Sequence, residues 1–271
     1  MRKLTIVALG SSPLIAQEIK NLTQEILGDS WPIDLSTTAA ITKAAPDTFY
    51  VCAITQGAKL QNIIPAKQLF ILDLHPTTRF FLDIAQIPSG SDIYVFNNLL
   101  PYTQILAQDC QDLGLTSFTF HSIAYDEMPV DEVCAKLSQA HYIIGVACML
   151  GKEALLSEKF RHALQPNVKI IPGQRSATIQ CAGKLLTAIA DFYLANWAAA
   201  DDTKDNQQEL LHVINALKSA ASRAVTSRLG TSAPLPAFEK NIAARPLAEQ
   251  QSVLAYLAKK LAHLGGSPYE S

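Results

Sequence analysis

Asp47-Thr-Phe-Tyr-Val-Cys-Ala-Ile-Thr-Gln-Gly-Ala-Lys-Leu60 is an apolar, β-branched and aromatic run of strand length, Asp47 to Ala53, followed by a helix over about 57–64. Ala140-His-Tyr-Ile-Ile-Gly-Val-Ala-Cys-Met-Leu-Gly-Lys-Glu-Ala-Leu155 repeats the plan, with a strand ending near a Cys and a Gly ahead of a Lys-bearing helix. Both stretches sit within longer alternations of strand and helix. Before the first come a strand at Leu4–Leu9, the turn Gly10-Ser11-Ser12-Pro13, a helix through Leu27 and a weak strand at Ile33–Ser36. Ser12 suits the N-cap of that helix and Pro13 its first turn. After the first stretch, Gln68–Leu74 is a strand, and His75-Pro76-Thr77-Thr78 opens a helix that ends before Pro88.

The pattern then restarts. Strands are predicted at Ser91–Phe96, Ser117–Phe120, Tyr142–Val146 and Val168–Ile171. Helices are predicted from Pro101 to Leu113, stopped by Gly114, at Val130–Gln139, briefly after Val146, and over Ser176–Trp197. Alternation of this kind gives an α/β fold with parallel strands and right-handed crossovers. The restart divides it into two doubly wound lobes, 1–90 and 91–200, facing each other across a cleft.

From Asp201 the pattern changes. DDTKDNQQ is a polar break, and the remainder, 201–271, is a helical tail. Leu210, Val213, Ile214, Leu217, Ala220, Ala221, Ala224 and Leu229 line one helical face, and a second helix spans about 247–264. Two roles fit the tail, a cap on the α/β body or a dimer helix.

Composition narrows the function. The chain has 271 residues and 29.4 kDa, with 49% hydrophobic and 17% charged residues, which excludes a disordered chain. Net charge is −2 and the pI is near 6.3; neither the body nor the tail is basic, so nucleic-acid contact is not expected. Cys52, Cys110, Cys134, Cys148 and Cys181 are dispersed with no CxxC, as in reduced cytosolic thiols. No signal-peptide pattern follows MRKLTIVALG, and the longest apolar run, 143–150, is too short for a membrane span. The expectation is a cytoplasmic protein with no membrane partner.

Candidate binding residues follow from the rule that ligands lie beyond the carboxyl ends of strands in doubly wound sheets. The Gly10, Ser11, Ser12 turn offers backbone N–H groups and a helix end to an anion, but has no GxGxxG or GxxxxGK[ST]. Thr55, Gln56 and Gly57, then His75 and Thr78, then Asn97 and Asn98, and Cys148 lie on equivalent loops. Gly173, Gln174, Arg175 and Ser176 form another: Gly173 allows close approach, Ser176 can cap the next helix, and the Arg175 guanidinium can fork onto a carboxylate. His75 could be a general base, although no carboxylate partner is evident in the sequence and a structural role is the alternative. His121 and His141 are core or edge residues. No HExxH, GxSxG or acidic cluster is present, and neither a metal nor a cofactor is expected. Cys52 and Cys148, at matched positions of the two lobes, could serve as the two bases of a cofactor-independent amino-acid racemase. The Cys-Asn-Thr, Gly-Cys-Thr and Asp-Ser-Gly signatures of those enzymes are missing, and core packing is the alternative.

Leu72-Asp73-Leu74, Ile87-Pro88-Ser89-Gly90-Ser91-Asp92-Ile93-Tyr94-Val95-Phe96-Asn97-Asn98, Asp112-Leu113-Gly114-Leu115 and Ala140-His141-Tyr142-Ile143-Ile144-Gly145 occur in a familiar order. Together, over roughly residues 3–197, they resemble the N-terminal sensory domain of bacterial enhancer-binding transcriptional regulators, the propionate-catabolism regulator's receptor domain being the better-known relative. The resemblance implies a two-lobed, periplasmic-binding-protein-like fold that senses a small molecule upstream of a PAS domain, an AAA+ ATPase and a helix-turn-helix. Neither a Walker A sequence nor a GAFTGA-like loop nor a PAS signature follows here, so ATP hydrolysis and DNA contact are not assigned to these residues. The resulting expectation is a homodimeric sensor, not an enzyme, that holds an anionic organic or amino acid effector between its lobes. A racemase and a structural dimerisation module are the alternatives.

Overall fold

A computed structural model describes residues 4–29, 31–197 and 204–229, together with 251, 254 and 255. The chain divides into two compact units, residues 1–74 with 177–271, and residues 75–176. The sequence had pointed to divisions near 90 and 200. The first unit is therefore discontinuous, and the second is a single stretch inserted into it.

In the first unit β1 (Thr5–Gly10), β2 (Ile33–Thr37), β3 (Thr48–Ala53) and β4 (Leu69–Leu72) form an all-parallel sheet of order β2-β1-β3-β4. β1 and β3 are central and have polar neighbours only at their ends, so their interiors are nearly continuous apolar runs. β2, at an edge, alternates polar and apolar residues. α1 (Pro13–Leu27) connects β1 to β2, with Ser12 accepting the Ile15 N–H at 3.4 Å and Pro13 in the first turn. Leu9, Tyr50 and Cys52 pack with Leu60 and Ile64 on one face of the sheet.

Two elements shift from expectation. The helix expected over 57–64 is α2 (Ile54–Leu60), which leaves β3 without an intervening loop. Its buried positions are Gln56, Gly57 and Leu60, at helical spacing; Ile54 and Thr55, which resemble strand residues, form its first turn. The strand expected over Gln68–Leu74 is split at Asp73. There the backbone N–H is directed to the Cys181 Sγ at 3.4 Å instead of a strand partner, and β5 (Leu74–Pro76) begins afterwards.

The second unit repeats the topology. β6 (Asp92–Asn97), β7 (Thr119–Ala124), β8 (Tyr142–Val146) and β9 (Lys169–Gly173) are all parallel in the order β7-β6-β8-β9. α3 (Thr78–Ala85) precedes β6, α4 (Leu100–Asp112) links β6 to β7, and α5 (Val130–Gln139) links β7 to β8. Phe80, Ile84, Ile93, Val95, Leu106, Cys110, Ile144 and Ile171 make the core. β7 begins and ends later than the predicted Ser117–Phe120, because its polar residues are held by the neighbouring central strand. His121 stacks on Tyr94 at 4.8 Å and its Nε2 meets Asp92 Oδ1 at 2.7 Å. The chain leaves the first unit after Leu74 and returns at Ala177. β5 pairs there with β10 (Arg175–Ala177), a strand where a helix start had been expected.

α6 (Ile179–Trp197) and α7 (Lys204–Leu229) belong to the first unit. Thr178, not Ser176, caps α6, its Oγ1 accepting the Cys181 N–H at 3.0 Å. On α7 the expected apolar face, Leu210, Val213, Ile214, Leu217, Ala220 and Ala221, is buried. Ala224 and Leu229 fall where side chains are not described, and most of the helix expected over 247–264 lies outside the described residues. Arg223 fixes α7 to α1 by donating to the Leu27 carbonyl at 2.6 Å. Gly28 (φ 81°) permits this, since a Cβ there would lie 2.2 Å from the guanidinium.

Candidate functional site

In a doubly wound sheet the crevice opens where consecutive connections run to opposite sides. With orders β2-β1-β3-β4 and β7-β6-β8-β9, that point falls between β1 and β3 in one unit and between β6 and β8 in the other. The expected residues sort accordingly. Gly10 ends β1, with Ser11 and Ser12 after it, and Thr55 follows β3; Asn97 ends β6, with Asn98 after it, and Cys148 follows β8.

At the first point the backbone is closely packed. A Cβ on Gly10 would lie 2.1 Å from the Ala16 nitrogen, so only glycine lets α1 start this near β1. Ser11 and Ser12 are half-buried. Gln56 does not face solvent: it is buried and its Oε1 accepts the Thr38 hydroxyl at 3.2 Å. Gly57 lies against the Ile71 side chain, so both of these residues serve packing, and Thr55 is the half-buried member of the three.

The second point is richer in polar groups. Asn97 and Asn98 are each 2% exposed. Asn97 Oδ1 accepts the Asn98 N–H at 2.7 Å, and Asn98 Nδ2 donates to Asp126 Oδ2 at 3.3 Å. The Tyr125 and Asp126 N–H groups donate to the carbonyls of Asn97 and Asn98, which ties the loop after β7 to the end of β6. The first N–H of α4, from Leu100, donates to Glu127 Oε2 at 2.7 Å. Tyr125 stacks on Phe96, its hydroxyl donates to Met149 Sδ at 3.1 Å, and burial with nearby Asp126 and Cys148 pushes it up to about 12. Cys148 is half-buried in the 3-10 turn Ala147–Leu150, not in a helix. Tyr125, Asp126 and Glu127 carry no motif; a pair of acids behind an edge strand was their only signal.

The remaining expected residues follow β9 or lie near the β5–β10 pair. Gly173 ends β9, opposite Val146, and packs on Phe80. The Gln174 carbonyl accepts the Thr77 N–H at 2.9 Å, Ser176 is exposed on β10, and Thr78 is exposed in the first turn of α3. Arg175 is half-buried, with its guanidinium 5.0 Å from the centre of the Tyr102 ring, a cation–π contact with α4. His75 is exposed on β5. Asp109 of α4 is raised by burial, lowered by His75 and raised again by Asp112.

Cys52 lies inside β3, 0% exposed, and burial pushes its thiol up to about 12. At neutral pH it is a protonated packing group. His121 is on edge strand β7 and His141 is exposed ahead of β8. Among the described residues no three His, Cys, Asp or Glu side chains are grouped as a metal site requires, and no helix is long and apolar enough to cross a membrane. Comparison with family models, with curated proteins and with solved structures finds no match to this chain.

Proposed function

We propose that this chain is the small-molecule-sensing domain of a transcriptional regulator, of periplasmic-binding-protein-like fold, acting as a homodimer. Its effector is a small anionic organic or amino acid taken by the loops at the carboxyl ends of the strands. The observation that carries this reading is the buried Asn97–Asn98 pair at the β6/β8 crossover point. Two amides 2% exposed are tolerated in a core only when hydrogen-bonded, and here their bonds hold the loop after β7 against β6. Such a loop is pre-organised, which lowers the cost of binding. Arg175 supplies the cation. Its guanidinium lies 5.0 Å from the centre of the Tyr102 ring, a contact that restricts the side chain, and a guanidinium is the group that forks onto a carboxylate. The similarity to sensory domains of enhancer-binding regulators supports the regulatory role.

A thermal-shift screen of carboxylic and amino acids tests the reading. A true effector at about 100 times its Kd stabilises by about 2.7 kcal/mol, and no turnover accompanies it. A panel in which no acid raises the melting temperature counts against it.

A further inference from the structure

Alternation along β6 sets Asn97 on the same side of the sheet as Ile93 and Val95, the side that α3 and α4 cover. Its carboxamide is almost fully buried, and its two ends differ. Oδ1 accepts the Asn98 N–H at 2.7 Å, whereas Nδ2 has no hydrogen-bond partner among the described residues. That nitrogen is not sealed in: the enclosed side-chain atom without a partner, among the described residues, is Trp31 Nε1. Asn97 Nδ2 therefore keeps an opening at the carboxyl end of β6, just before α4 begins. A donor in that position is costly to leave unpaired and needs a single acceptor to satisfy it.

The first turn of α4 points to the charge of that acceptor. It is the positive end of a helix of 13 residues, and Leu99 offers it no capping side chain. Arg175 reaches the same turn at the Tyr102 ring. Two carboxylates are engaged at the same loop. Glu127 Oε2 accepts the Leu100 N–H at 2.7 Å, and Asp126 Oδ2 accepts from Asn98 Nδ2 at 3.3 Å. One carboxylate on a ligand is thus compensated by Arg175, Asn97 Nδ2 and the helix end. A second one near this loop meets the charges of Glu127 and Asp126.

We infer that the acid taken here is a monocarboxylate, its carboxylate held by Asn97 Nδ2 and Arg175 at the start of α4, and that Glu127 and Asp126 turn away di- and tricarboxylates. The inference rests on the sensor reading above and narrows it to one class of acid. Selectivity of this kind comes from repulsion as much as from attraction.

Titration calorimetry on the whole chain with butanoate and succinate tests it, since the two have the same carbon chain and differ by one carboxylate. Butanoate binds at least about tenfold more tightly than succinate. Glu127→Gln, whose amide oxygen still accepts the Leu100 N–H, strengthens succinate more than butanoate and narrows the gap at least about threefold. Asn97→Asp keeps the acceptor for the Asn98 N–H but puts a carboxylate where the donor was, and weakens butanoate at least about tenfold. Selective 15N-asparagine labelling gives a readout in the unmodified protein: the Asn97 side-chain amide signals shift with butanoate and not with sodium chloride at equal ionic strength. Succinate binding as tightly as butanoate, a gap unchanged in Glu127→Gln, or Asn97 amide signals unmoved by bound butanoate overturns the inference. The sensor reading survives these results if an acid of the thermal-shift panel binds, and both fall if none does.

Discussion

Asn97 and Asn98 show how single residues set the chemistry of this protein. Each places an amide in a position 2% exposed, where an unpaired polar group costs about 1–3 kcal/mol, and each is therefore bonded to its surroundings. The thiols follow the opposite logic. Cys52 and Cys110 are fully buried and pushed up to about 12, whereas Cys134 and Cys148 are half-buried. A thiol reagent at about pH 8 should thus modify Cys134 and Cys148 in the folded protein and spare Cys52 and Cys110 until it unfolds. Peptide mapping by mass spectrometry checks this, and early labelling of Cys52 would refute the packing assignment. At this scale the site was half legible. Asn97, Asn98 and Arg175 stood out because polar residues directly after apolar runs mark strand ends. Tyr102 and Tyr125 did not, because their partners lie far away in sequence and only the folded sheet brings them together.

At the scale of elements, Arg223 adds a polar tie at a helix end to the docking of α7 on α1. The last carbonyls of α1 have no partner within the helix, and Arg223 donates to that of Leu27 while placing its charge at the negative end of the helix dipole. Arg223→Ala should cost up to about 1 kcal/mol in urea unfolding and should increase amide exchange in the last turn of α1. Unchanged exchange there would show the contact to be incidental. Central strands and capped helices were plain in the sequence. β1, β3, β6 and β8 are continuous apolar runs, and α1 has its Ser12-Pro13 start. The misplaced boundaries have a common cause. β7 is an edge strand whose His121 and Ser122 break its apolar run, α2 starts with β-branched Ile54 and Thr55, and Arg175–Ala177 pairs with a strand about a hundred residues earlier. In each case a distant partner overrides local propensity.

At the scale of the whole molecule, two sheets of the same strand order each have their own core, and one is built from a single uninterrupted stretch of chain. Residues 75–176 carry the whole of the second sheet, so this fragment should fold alone with a cooperative thermal transition, whereas residues 1–74 alone, lacking α6 and α7, should not. Circular dichroism melts of the two fragments check this; a non-cooperative melt of 75–176 would show that its core depends on the rest of the chain. The matched sequence stretches fall on β3 and β8, the third strand of each sheet, although Cys52 lies inside β3 and Cys148 in the turn after β8.

The most direct test of the central claim is calorimetric titration of an acid selected by thermal shift. The account expects saturable, one-site binding that Arg175→Ala weakens by about 2–5 kcal/mol, with the melting temperature of the ligand-free protein nearly unchanged. Affinity equal in the presence and absence of the Arg175 side chain would contradict it.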